Sequence, residues 1–188
     1  MQSRDEAIRL WREHNTDDSL FRHALSVEAA MRHFALKRGE DPEFWGLVGL
    51  LHDVDYGEHP TEHLKHARPL LSGAGYPEPF IRAVECHGFG LCTDIEPVLE
   101  MEKVLFAVDE LTGFIAACAF VRPSRSVLDL EVKSVKKKWG MAAFAAGVSR
   151  EVIEKGAAML GMPLEALIEE TIQALRGVAE ETGLKGSL

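Results

Sequence analysis

Residues 44–51 are apolar on all sides, broken only by Gly46 and Gly49, which allow close packing. A helix with no polar face has to be wrapped by other elements, so this one belongs at the centre of the fold. Asp41-Pro42 supplies its start, because proline is tolerated at the first helical position. The apolar run ends in Leu50-Leu51-His52-Asp53-Val54-Asp55, which puts two strongly polar side chains at the tip of a buried element. The rest of the chain has to supply the elements that cover it.

Those elements read as helices throughout. Ser3 and Glu6 have capping-box spacing and predict a helix from about 4 to 13. Residues 16–19 cap a second helix, whose apolar positions Leu20, Ala24, Val27, Met31 and Phe34 repeat with helical period until Gly39. A polar loop over 55–60 precedes a helix expected from about 62 to 71, which Pro69 should kink or split. Pro77 and Pro79 open another that stops at Gly88. After a loop over 88–94, a long helix is expected over 97–121, with Pro123 as its stop. A short segment near 127–132, a Lys-rich turn and helices over 150–160 and 163–181 complete the chain, with Gly161 and Gly183 as helix-ending glycines. No alternating strand pattern, fixed-period repeat or linker is present. The expected class is all-α, with residues 1–188 as a single domain.

Charge narrows the partners. A net charge of −9 argues against a general nucleic-acid or anionic-membrane binder, since such proteins need a basic surface. Lys133 and Lys136 to Lys138 form a basic run that reads as a solvated turn. The odd count of 3 cysteines forms no paired framework and suits a reducing compartment. With no apolar leader and no stretch long enough to span a bilayer, a cytoplasmic location is the expectation.

Several polar residues fall on inward helix faces. His23 shares the stripe of Leu20 and Val27, and His52 the face of Trp45 and Val48. Asp109 shares the face of Met101 and Leu105, with Thr112 and Gly113 beyond it. A carboxylate is rarely buried unless it is paired or bound to a metal. Three helices each point one metal-competent side chain inward, and Asp53 adds a fourth. Neutral imidazole nitrogens and hard anionic oxygens together suit one divalent ion, with His23, His52, Asp53 and Asp109 as its ligands.

This pattern resembles the HD superfamily of metal-dependent phosphohydrolases, in its HDIG-like form. The family has a His on one helix, a His-Asp pair at the end of a later helix, and an Asp on a helix further on. Those match His23, His52-Asp53 and Asp109. The Leu-Leu-His-Asp-Val-Asp phrasing and the Val-Asp-Glu-Leu around Asp109 are also similar to the family. The likeness covers roughly residues 19–120 and implies a compact HD-type helical bundle. Residues from about 122 to 188 form a C-terminal helical extension similar to the tail of a group of bacterial HD proteins, in which Lys-Lys-Lys, Phe-Ala-Ala-Gly-Val and Arg-Glu recur. Some HD relatives hold two metals and use two further histidines, and His66 and His87 occupy comparable positions here. The alternative is that His59, His63 and His66 form a solvated face and that His87 caps a helix C-terminus.

The resemblance implies hydrolysis of a phosphoester of a small metabolite or nucleotide by metal-activated water. Asp53 is then catalytic as a ligand, and Asp55 stands where it would orient the water. Lys103, Arg122 and Arg125 are cations that such a site could use for a phosphate, but each reads first as a surface charge. The ligand set admits Mn²⁺, Fe²⁺, Ni²⁺, Co²⁺ or Zn²⁺, and Mg²⁺ arriving with a phosphate substrate. Cys86, His87 and Cys92 lack a second pair at zinc-site spacing. No phosphate-binding Gly-Lys-Ser/Thr loop and no nucleophile elbow occur. Two other functions stay open at this point: a di-iron oxygenase of the same fold, and a non-catalytic module that binds a metal or nucleotide. The amphipathic helix bearing Leu167, Ile168 and Ile172 either completes the core or forms a homodimer face.

Overall fold

A computed structural model describes residues 2–188. Among them every regular element is helical, as the periodicity predicts. Helix α1 spans Arg4–His14, and Ser3 and Glu6 close the expected capping box. Helix α2 spans Asp18–Arg38. The Asp17 carboxylate accepts the Ser19 and Leu20 amides at its start, and Gly39 at φ 72° ends it. Helix α3 spans Pro42–Leu51, capped by Asp41, and every residue from Trp45 to Leu51 is buried. It lies between α1 and α2 and touches α5 (Glu78–Cys86), the central position its composition requires.

The closeness of α2 and α3 depends on Gly49. A Cβ there would sit 2.8 Å from Met31 Cγ and 2.9 Å from the Val27 carbonyl oxygen. The second neighbour is backbone and has little room to yield. Gly49→Val should therefore push apart the two helices that carry His23 and His52. We expect a loss of about 1–3 kcal/mol in urea unfolding, from overpacking a filled core. Wild-type stability in that variant would show that the contact can relax.

Several segments depart from the sequence expectation. The helix expected over 62–71 begins late: a 3-10 turn over Pro60–Glu62 leads through irregular backbone, and α4 spans only Ala67–Gly73. Leu64 at φ 67° is left-handed and stops the helix from forming earlier. Pro69 thus lies in the first turn of α4, where a missing N–H leaves no intrahelical bond unmade, so it neither kinks nor splits a helix. The Lys-rich stretch is not a turn but helix α7, Val132–Trp139, which buries Val135 and leaves its lysines toward solvent. The long helix α6 starts later than expected and spans Glu100–Phe120, where Glu102 accepts the Val98 and Leu99 amides.

Helix α8 spans Arg150–Met159 and α9 spans Leu164–Arg176, shorter than the sequence suggests. Both pack on α6, and α9 also packs on α2. Leu167, Ile168 and Ile172 are fully buried in this packing, so the apolar face of α9 completes the core. No helix among the described residues is long and apolar enough to cross a membrane.

Candidate metal centre

Four separate elements bring histidines to one point. His23 comes from the second turn of α2 and His52 from the end of α3. His63 follows the 3-10 turn and His87 follows the last residue of α5. Asp53 and Asp109 stand among them. Asp109 Oδ1 lies 3.0 Å from His23 Nε2 and 3.3 Å from His52 Nε2. Asp53 Oδ2 lies 3.3 Å from His52 Nε2, while its Oδ1 lies 3.3 Å from His63 Nε2 and 3.6 Å from His87 Nε2.

The far side of each ring is tethered. His52 Nδ1 donates to the Gly49 carbonyl at 2.7 Å, and His87 Nδ1 to the Val84 carbonyl at 2.6 Å. His63 Nδ1 donates to Asp55 Oδ1 at 3.0 Å. For His23 the partner is Thr112, whose hydroxyl gives its proton to the Asp109 carbonyl and stands 3.4 Å from Nδ1 as an acceptor. A neutral imidazole carries one proton, and these acceptors hold it at Nδ1. Each ring, when neutral, therefore turns its Nε2 lone pair toward Asp53 or Asp109, and His52 toward both, the arrangement that fixes metal-binding imidazoles.

This arrangement calls for cations at its centre. His52 Nε2 is buried and makes no aligned hydrogen bond, although two carboxylate oxygens lie close by. His63 and His87 turn their Nε2 atoms on each other at 3.1 Å. Lone pairs facing lone pairs and anionic oxygens repel unless protons or metal ions stand between them. Two overlapping groups, His23–His52–Asp109 and His52–Asp53–His87, bring their donor atoms within 4.8 Å of one another. The nitrogen and oxygen donors fit divalent metal ions.

Without metal, protons take that place. Burial pulls the His52 pKa down, but Asp53 and Asp109 overcome this and hold it well above the usual histidine range. Burial pushes Asp53 up, yet His52 and His87 hold it well below the usual carboxylate range. Asp109 is lowered in the same way against burial, by His52 and His23. These directions favour a proton on His52, between the two carboxylates, when no metal is bound. A metal ion has to displace that proton, so uptake should release protons and apparent affinity should rise with pH through neutrality. Calorimetric titrations in two buffers of different ionisation heat check this. Heats that follow the buffer are expected, and buffer-independent heats would contradict the proton count.

The structure places the residues singled out in the sequence as follows. His23, His52, Asp53, Asp109 and His87 come together. His66 does not join them: it stacks on His59 at 3.7 Å between centroids, pairs with Glu62 at 3.3 Å, and with them forms a separate, more exposed donor group. His63 stands where His66 was expected. Asp55 is fully buried and accepts His63 Nδ1 and the His66 amide, so it orients a histidine and does not face the cavity. Arg122 is bound to Asp129 and does not line the cavity, and neither do Lys103 and Arg125. The sequence reading missed His63 and also Glu110, which lines the same cavity. Pro60 and Pro69 bracket the His63 segment, and they were the available sign that helical faces should not be assigned there.

The cluster lies at the wall of a cavity of about 470 Å³, which Leu20, Tyr56, Pro60, Val148 and Val152 also line. The all-helical fold thus brings the His/His-Asp/Asp constellation together as a group of donors that could hold a metal ion. The family model described as HD domain matches residues 20–113, half of the chain, and the chain belongs to that family. HD domains bind divalent metals and are mostly metal-dependent hydrolases. No curated protein and no solved structure matches the chain.

Proposed function

We propose that this protein is a metal-dependent phosphohydrolase acting on a small phosphoester. The observation that supports this most is the convergence of four tethered imidazoles and two carboxylates at the wall of a substrate-sized cavity. His23, His52 and Asp109 would hold one ion, and Asp53, His63 and His87 the donors of a second. A bound divalent ion would stabilise charge on a phosphoryl oxygen and lower the pKa of water from ~15.7 to about 7. Hydrolysis breaks the bond between phosphorus and the alcohol oxygen, joins the water oxygen to phosphorus, and leaves a proton with the alcohol.

The chain's own part is to bind and orient. Asp55 fixes His63, and carbonyls of α3 and α5 fix His52 and His87, so the donors are set before anything binds. Leu20, Val148 and Val152 offer an apolar wall to the organic part of a substrate, and Tyr56, tilted edge-on to His63, offers a ring face. The test is turnover of a chromogenic phosphomonoester by protein reconstituted in turn with Mn²⁺, Fe²⁺, Ni²⁺, Co²⁺, Zn²⁺ and Mg²⁺. Metal-dependent release of phosphate is expected. Tight metal binding with no turnover across a broad phosphoester panel would favour a non-catalytic binding module.

A second reading rests on the His63–His87 pair. A di-iron oxygenase would need such a second donor group, and the 3.1 Å approach of the two Nε2 atoms is what favours it. Oxygen uptake by the iron-loaded protein, without phosphatase activity, would select it.

A further inference from the structure

Phosphate sites are usually lined by arginine or lysine, yet no Lys or Arg lines this cavity among the described residues. Cations on α8 and just before the cavity wall are committed elsewhere. Arg150 donates to the Trp139, Met141 and Phe144 carbonyls. Lys155 stands 4.1 Å from the centre of the Phe89 ring. The cavity instead holds a third carboxylate, Glu110, beside the metal-site pair Asp53 and Asp109.

Glu110 has a fixed position and an unmet demand. It follows Asp109 on α6, and one oxygen, Oε2, accepts the Ser149 amide at 3.1 Å where α8 begins. No Lys or Arg lines its cavity among the described residues, and burial together with the neighbouring Asp109 holds its pKa above the usual carboxylate range. Its other oxygen makes no hydrogen bond to the protein and so has acceptor capacity left at the cavity. A half-buried carboxylate without a cation is costly to keep, and a ligand that brings the missing donor recovers that cost.

Resting on the phosphohydrolase reading, we infer that Glu110 selects the substrate: a phosphomonoester with no second anionic group, whose otherwise apolar organic part carries an amine. The phosphate charge has only the metal ions to meet it, so a polyphosphate or a carboxylated ester would leave extra negative charge unmatched and facing Glu110. An ammonium group against Glu110 makes a charge-assisted hydrogen bond in a partly dry cavity. Glu110 is a specificity residue in this account and takes no part in bond making.

The experiment is calorimetric binding of three chain-matched inhibitors to the metal-loaded protein: propylphosphonate, its terminal-amine analogue and its terminal-carboxylate analogue. In the wild type the amine should bind about tenfold tighter than propylphosphonate and the carboxylate about tenfold weaker, the scale of one hydrogen bond to a charged group. In Glu110→Gln, which keeps an acceptor for the Ser149 amide, the three should converge to within about twofold. The wild-type ranking stands as a test by itself if the variant folds poorly. A carboxylate analogue that binds as tightly as the amine, or a ranking unchanged in Glu110→Gln, would overturn the inference alone. Failure of all three phosphonates to bind would overturn the phosphohydrolase reading with it.

Discussion

Replacing Asp53 by alanine is expected to remove bound divalent metal and to reduce phosphomonoester turnover by about a thousandfold or more. Asp53 is the one side chain placed against three of the imidazoles: one of its oxygens faces His52, and the other faces His63 and His87. Its loss takes the anionic donor from the second group of ligands, strips His63 and His87 of the carboxylate at their Nε2 atoms, and leaves His52 with Asp109 alone. Burial of His52 then opposes a proton there, with only Asp109 left to favour one. Metal content and rate should therefore fall together, while helicity persists, since Asp53 lies in the turn after α3 and caps no helix. An Asp53→Ala variant that keeps its metal and its rate would place the reactive centre somewhere else.

The second large effect is a contrast between two neighbouring histidines. His63→Ala should lose the second equivalent of metal and slow turnover by about a hundredfold, in line with the loss of a supported ligand. His66→Ala should keep both, with a rate within about threefold of wild type, as expected for a substitution away from buried contacts. What His66 gives to the site is its backbone amide, which donates to Asp55 at 3.1 Å and survives the change of side chain. His63 is held by Asp55 and touches both Asp53 and His87. Metal analysis and kinetics on the two variants decide the matter. The reverse pattern would mean that the loop over 55–66 takes a different path in the working protein.

These two histidines also show where sequence reasoning succeeds and where it stops. His23, His52 and Asp109 were legible because each sits on, or directly at the end of, a regular helix. There a period of 3.6 residues converts spacing into direction. Their neighbours Val27, Val48 and Leu105 are all fully buried, so the inward faces were read correctly. The caps were equally plain, since Ser3, Asp17 and Asp41 act through local hydrogen bonds that short sequence patterns encode. His63 lies on backbone with no period at all, between a 3-10 turn and left-handed Leu64, and nothing local says where it points. Glu110 is fixed by Ser149, 39 residues away, and a contact at that separation leaves no trace in the spacing of one chain. The lysines of α7 looked like a turn because only Val135 in that helix is buried, too little for an apolar stripe to appear.

The proposed chemistry requires the His/Asp cluster to hold a metal ion. The most direct measurement is elemental analysis of the wild-type chain after reconstitution and exhaustive dialysis. We predict stoichiometric retention of a divalent transition metal. A protein that stays metal-free after reconstitution would contradict the account, and would leave His52, Asp53 and Asp109 as a buried ion-pair network.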